Sequence, residues 1–154
     1  MSIRIEGLPA EHFRHLFSLS DAALTRRGAC RVVAGSAPHY PCRVSLTDAR
    51  PGDELLLVNY EHHAVASPYR SCFAVYVRAG EEKFDAIDDV PAQLRSRLLA
   101  VRAYDGAGML VGCEITPGAE LAACSERLLA HRRAAYLHAH YAAPGCYAAR
   151  IERA

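Results

Sequence analysis

Short apolar runs of strand length, several of them rich in β-branched or aromatic residues, recur along the chain between polar turns and are typical of β-strands. Glycine-containing turns of hairpin length separate the last four of these runs in pairs, at 106–108 and 142–145. The predicted strands are 31–34, 42–46, 54–60, 72–78, 98–105, 109–116, 135–141 and 146–153. A loop at 35–38 separates the first two. This order predicts a mainly antiparallel sheet that ends in two hairpins.

Helical periodicity is confined to short stretches. Pro9 begins a segment with apolar residues at helical spacing, and Ser18 or Ser20 is placed to cap a second short helix that ends at Gly28. Another short helix begins at 88–91, and the one longer helix spans about 117–133. The pattern predicts one α+β domain over residues 1–154, with two short N-terminal helices and the longer helix packed on the sheet.

Composition narrows the function classes. Eighteen Lys and Arg residues face seventeen Asp and Glu residues. This balance offers no excess positive charge, so we expect no nucleic-acid partner. No apolar run reaches spanning length and the N-terminus has no signal-peptide pattern, so we expect no membrane segment and a cytoplasmic location.

The six cysteines are widely spaced and form no Cys-x-x-Cys pair. Without a secretory signal, we expect reduced thiols, most of them small core residues. Nucleophile elbows, phosphate loops and His-Glu-x-x-His motifs are absent from the sequence. Whether the chain is an enzyme therefore stays open at this level.

The strand 135–141 carries the clearest candidate chemistry. Side chains on a strand alternate between faces, so Tyr136, His138 and His140 share one face. Two imidazoles two residues apart form half of a transition-metal site. The alternative is a pair of partly buried polar residues, hydrogen-bonded on a solvated face of the sheet. No cofactor is predicted outright, and a transition metal is the weaker alternative.

A third ligand is not fixed by spacing. Cys146, His39 and the pair His62 and His63 are the candidates. Four residues separate Tyr141 from Cys146, and if these two pair across the hairpin, the cysteine faces away from the histidines. We therefore expect that Cys146 is not a ligand.

The loop after the strand 54–60 is the second candidate region. Pro68 rigidifies the backbone before Tyr69 and Arg70, and His62 or His63 could act as a general base near neutral pH. The alternative is a solvent-exposed turn whose arginine pairs with Asp48 or Asp53.

Tyrosine and arginine also alternate along the other strands. The pairs that share a face are Arg102 with Tyr104, Tyr76 with Arg78, and Arg150 with Glu152. If these faces coincide with that of the histidines, they form a wall suited to a small carboxylate or phosphate. A solvated outer face explains the same residues.

Three segments together resemble a known family. They are 41–49 (PCRVSLTDA), the loop 67–70 (SPYR), and the ending with 136–140 (YLHAH) and 145–151 (GCYAARI). They are similar to the uncharacterised bacterial family named domain of unknown function 1203, over nearly the whole chain. The resemblance implies no activity. It implies that Ser67, Pro68, Tyr69, Arg70, His138, His140 and Cys146 stand at family positions, whereas Tyr141 stands where an Asn is expected.

These observations favour a protein that binds a small polar or anionic ligand in a pocket lined by Tyr69, Arg70, Tyr136, His138 and His140. Arg70 would hold the anion, and the histidines would move protons or bind an ion. A non-catalytic interaction domain that forms a homodimer is the alternative. A metal-dependent enzyme that uses His138 and His140 is the third hypothesis.

Overall fold

The strands fall into two antiparallel sheets in a computed structural model that describes residues 1–36 and 39–154. The strands are β1 (Ile3–Glu6), β2 (Ala29–Val33), β3 (Glu54–His63), β4 (Ser71–Val77), β5 (Asp85–Ile87), β6 (Leu98–Tyr104), β7 (Leu110–Pro117), β8 (Tyr136–Tyr141) and β9 (Tyr147–Arg153). The larger sheet has the order β5-β1-β9-β8-β6-β7, and the smaller one has the order β2-β3-β4. The two hairpins β6-β7 and β8-β9 thus form where the apolar runs and turns predict them.

Helices are few and short. They are α1 (Asp21–Arg26), α2 (Ala92–Arg95) and α3 (Leu121–Leu129), with 3-10 turns at Ala10–His12, Arg14–Leu16 and Gly118–Glu120. The Ser20 side chain accepts a hydrogen bond from the Ala23 amide at 3.2 Å and caps α1, and Gly28 follows the helix with a φ of 66°. Mostly antiparallel sheet with few helices confirms the α+β class.

One face of the larger sheet builds the main core. Leu137 and Ala139 of β8 point into it, and Leu121, Cys124 and Leu129 of α3 cover it. A second buried cluster contains Leu56 and Val58 of β3, Phe13 of the N-terminal segment and Tyr147 of β9. Because Tyr147 belongs to this second cluster, the smaller sheet packs near the β8-β9 hairpin on the side away from α3.

Several predicted elements differ from the structure. The predicted strand 42–46 is a turn, since Leu46 has a φ of 53° and Arg43 folds inward to be 1% exposed. The helix expected over 117–133 begins as a 3-10 turn at Gly118 and ends at Leu129. The first of the two N-terminal helices is a pair of 3-10 turns, and the strands divide into two sheets rather than one. The predicted loop at 35–38 lies partly outside the described residues.

Candidate functional site

Tyr136, His138 and His140 lie on the face of the larger sheet opposite α3, as the alternation along β8 predicts. Ring centroids are 5.4 Å apart between Tyr136 and His138 and 6.3 Å apart between His138 and His140. Both imidazoles are buried, at 3% and 0% exposure. The next residues, Leu137 and Ala139, are in the main core. The pair is therefore enclosed and not on a solvated face.

The end of β3 brings two more histidines to the same place. The pairing of β3 with β4 shifts between Glu61 and His63, which marks a bulge. In a regular strand His62 and His63 would point to opposite faces, but here both rings approach His138, at 6.2 and 4.9 Å between centroids. The bulge thus joins the smaller sheet to the histidine face of the larger one.

Three of these four histidines form a group with metal-ligand spacing. One ring nitrogen from each of His62, His138 and His140 lies within 4.8 Å of the other two. His62 is half-buried and stacks on the Tyr147 ring, with 5.1 Å between centroids and 18° between planes. Among the candidate third ligands considered from the sequence, the structure places His62 beside the pair.

The fourth histidine, His63, lies outside the group of His62, His138 and His140 and uses both of its ring nitrogens in hydrogen bonds. Its Nδ1 donates to the Tyr69 carbonyl oxygen at 2.8 Å, and its Nε2 accepts from the Tyr136 hydroxyl at 2.7 Å. Both ring nitrogens are therefore engaged. His63 positions Tyr136 and the Tyr69 backbone.

Each of His62, His138 and His140 has one buried ring nitrogen without a hydrogen-bond partner. Within residues 1–36 and 39–154, five buried side-chain polar atoms lack a hydrogen bond, and three of them are His62 Nδ1, His138 Nδ1 and His140 Nε2. His140 Nδ1 donates to the Gly145 carbonyl oxygen at 3.0 Å, which leaves Nε2 as the nitrogen with a lone pair. A buried polar atom left without a partner costs about 1–3 kcal/mol. Three such atoms at one place call for a common explanation.

Burial keeps these imidazoles neutral. It lowers the pKa of His62 to about 4, with a further contribution from His63 and Arg102. Burial, then the charge of Arg102, lowers the pKa of His140 to about 3, although the bond to Gly145 acts in the opposite direction. Burial likewise lowers the pKa of His138 well below its ordinary value. Neutral imidazole is the form that binds metal ions.

Arginine and tyrosine side chains surround the three histidines. In the strand register, Arg102 of β6 and Arg150 of β9 stand directly opposite His138 on either side. The Arg150 guanidinium lies 4.1 Å from the Tyr136 ring centre and bonds to Glu152 at 3.1 Å. Tyr104 and Tyr136 stack with 5.7 Å between centroids. The wall expected from alternation thus includes the pairs from β6 and β9.

The other predicted site residues lie elsewhere. Tyr76 and Arg78 belong to or follow β4 of the smaller sheet, where Arg78 bonds to Asp53 at 2.9 Å. Arg70, with its side chain 66% exposed, bonds to Glu61 at 3.1 Å and not to Asp48 or Asp53, which pair with Arg97 and Arg78. Tyr69 approaches the cluster through Tyr104, at 6.1 Å between ring centres, and through its carbonyl oxygen. The structure brings Tyr136, His138 and His140 together, and Arg70 pairs with a carboxylate instead.

Cys146 takes a different position. The Tyr141 amide donates to the Cys146 carbonyl oxygen at 2.9 Å, which is the pairing expected from a four-residue loop. The sulfur accepts a hydrogen bond from Arg43 Nη2 at 3.0 Å. Tyr147, which regular alternation does not predict at this site, occupies the histidine face because a bulge in β9 shifts the pairing after Ala139 and places Tyr147 opposite His140.

The comparisons agree with the resemblance. The family described as "Protein of unknown function (DUF1203)" matches residues 39–153, and the chain belongs to this family. No curated protein and no solved structure matches the chain. Within the part of the chain that the structure describes, no helix has the length and apolar character of a membrane span.

Proposed function

We propose that this protein binds a divalent transition-metal ion, zinc or a similar ion, through His62, His138 and His140. The observation that carries this proposal is the set of three buried ring nitrogens that lack partners, one on each of these residues. The spacing of the three rings supports it independently, since one nitrogen of each ring lies within 4.8 Å of the other two. One bound ion accounts for all three nitrogens, whereas a purely structural cluster leaves their cost unexplained.

The donor set favours zinc-like ions over calcium or magnesium. Imidazole nitrogen is a ligand for zinc, copper, iron and nickel, whereas calcium and magnesium take oxygen. Zinc binds histidine nitrogen at about 2.0–2.1 Å, which places tetrahedral ligands about 3.3 Å apart. Binding therefore draws the rings together by up to about 1.5 Å from the 4.8 Å limit observed. His62, half-buried at the end of β3, is the ligand with most room to move.

A hydrogen bond already orients one of the three candidate ligands, His140. The His140 ring is held by the Gly145 carbonyl oxygen, which fixes the tautomer with Nε2 available. Such carbonyl contacts are typical of metal-bound histidines. Three protein ligands also leave a fourth position for water or substrate, as in catalytic zinc sites. The positive charge of Arg102 favours an anion or hydroxide at that position.

Zinc titration of metal-free protein against a chromophoric chelator tests the proposal. We expect one ion per chain, and we expect His62→Ala to weaken binding by more than about 100-fold, since even outer contacts change affinity by about 10- to 100-fold. His62 is the preferred variant because the more deeply buried His138 and His140 also contribute to packing.

His15→Ala is the matched control. His15 is an exposed histidine in the second N-terminal 3-10 turn, so its loss should leave zinc affinity unchanged. Circular dichroism checks that both variants are folded. Absence of stoichiometric zinc binding by the unchanged protein, or equal affinity in His62→Ala, would refute the proposal.

A further inference from the structure

A separate cavity lies on the other side of the β8-β9 hairpin. It has a volume of about 440 Å³ and is bounded by the segment that begins at His39 and by the hairpin turn up to Cys146. Most of its wall is apolar, including Leu98, Ala142 and Pro144. Successive strand residues face opposite ways, so Tyr141 lines this cavity whereas His140 lines the histidine cluster. Cavities of this volume are typical of small-molecule sites.

A buried arginine without a carboxylate partner lies in its wall. Arg43 is 1% exposed, and its guanidinium donates to the Tyr147 carbonyl oxygen at 2.7 Å, the Pro41 carbonyl oxygen at 2.6 Å and the Cys146 sulfur at 3.0 Å. None of these three acceptors is a carboxylate. Two of its five N–H groups, one on each terminal nitrogen, have no partner among the described residues.

The charged side chains that line the cavity are arginines. Arg43 and Arg97 both lie against the Tyr141 ring, at 4.9 and 5.2 Å from its centre. Asp48 bonds to Arg97 at 2.9 Å, and no salt bridge among the described residues involves Arg43. His39 also lines the cavity, and the described residues that line it include no acidic side chain. A buried charge without an opposite charge is costly, and a bound anion would reduce that cost.

We propose that this cavity binds a small carboxylate with an aromatic or aliphatic body. The carboxylate accepts hydrogen bonds from the two remaining N–H groups of Arg43 in the paired geometry that guanidinium favours. The body packs against Tyr141 and the apolar wall of Leu98 and Pro144. This site uses neither His62 nor the histidines of β8, so it stands or falls independently of the metal proposal.

Calorimetric titration with phenylacetate and with phenylacetamide tests the proposal. The two probes have the same body and differ in charge. We expect phenylacetate to bind at least about tenfold more tightly than the amide, and Arg43→Gln to remove this preference. Arg132→Gln is the matched control, because Arg132 is exposed and lies outside the cavity.

A second variant covers the case in which Arg43→Gln does not fold. Ala142→Trp fills the cavity from its rim and leaves the buried charge in place, and it should abolish phenylacetate binding. Alkylation of Cys146, which lines the cavity, is an independent measurement, because its sulfur displaces iodide from iodoacetate or iodoacetamide. We expect a higher iodoacetate to iodoacetamide ratio at Cys146 than at the exposed Cys72 of the same molecule, and protection of Cys146 by phenylacetate.

Three results would overturn the carboxylate site. They are equal or absent binding of the two probes, retained binding in Ala142→Trp, and an alkylation ratio at Cys146 equal to that at Cys72.

Discussion

Hydrogen bonds to the imidazole rings determine what each histidine can do. His63 uses both nitrogens on Tyr69 and Tyr136, and His140 uses one on Gly145. His62, His138 and His140 each have a buried ring nitrogen without a partner. One ring nitrogen of each of these residues also lies within 4.8 Å of the other two. Four neighbouring histidines therefore divide into one positioning residue and three candidate ligands.

Burial of these neutral imidazoles also makes stability depend on pH. The folded pKa values of His62 and His140, about 4 and about 3, lie below the value of 6.5 for an unperturbed histidine. Below pH 6.5 the unfolded chain therefore binds protons that the folded chain does not. This stabilisation is complete above pH 6.5 and is lost as the pH falls towards 4.

We expect the free energy of unfolding of metal-free protein to fall between pH 6.5 and 4, with up to about 1.4 kcal/mol per pH unit from each such histidine. Urea unfolding at several pH values measures it. His62→Ala should show a shallower slope than the unchanged protein, and His15→Ala should not. If the free energy of unfolding changes with pH equally in the unchanged protein and in His62→Ala, His62 is not a buried neutral histidine with a lowered pKa.

At the scale of the element, two bulges determine which residues meet. The bulge in β3 turns His62 and His63 towards the same sheet, and the bulge in β9 places Tyr147 opposite His140. Alternation alone predicts the β8 face, because β8 is regular. It cannot select His62 among several third ligands, since a bulge adds one residue and reverses the face of those that follow.

Other errors at this scale have a similar origin. The segment 42–46 has the composition of a strand, but the inward-facing Arg43 bonds to the backbone carbonyl groups of Pro41 and Tyr147, and Leu46 adopts a left-handed conformation. These features depend on tertiary contacts that one sequence does not contain. The hairpins and the Ser20 cap depend on local patterns and are confirmed.

The 3-10 turn that precedes α3 begins where Gly118 approaches the backbone of Leu94 and Arg97 closely. A Cβ atom added at Gly118 would lie 1.8 Å from the Leu94 carbonyl oxygen and 2.8 Å from that of Arg97, whereas one at Gly106 would meet nothing within 4 Å. We expect Gly118→Ala to lower the free energy of unfolding by about 3 kcal/mol or more and Gly106→Ala to change it by less than about 0.5 kcal/mol. Urea unfolding compares the two, and similar effects would contradict this packing.

At the scale of the whole molecule, the three candidate ligands come from two sheets. His62 is the penultimate residue of the central strand of the smaller sheet, and His138 and His140 lie on an inner strand of the larger one. An ion bound by all three would therefore connect the sheets where Tyr147 already joins them by packing.

The sequence predicts less at this scale. It gives the α+β class and the family, but the order of the strands and the second sheet require contacts between distant residues. A homodimer, the alternative function considered from the sequence, stays a prediction. The sequence also does not predict the cavity at Arg43, because a regular strand at 42–46 would not enclose it.

The most direct test of the metal centre is an anomalous difference map at the zinc absorption edge, from crystals of the zinc-loaded protein. We expect one peak about 2.0–2.1 Å from a ring nitrogen of each of His62, His138 and His140, and no such peak in His62→Ala crystals. A map without a peak between these three rings, or with its peak at another group of residues, would contradict the account.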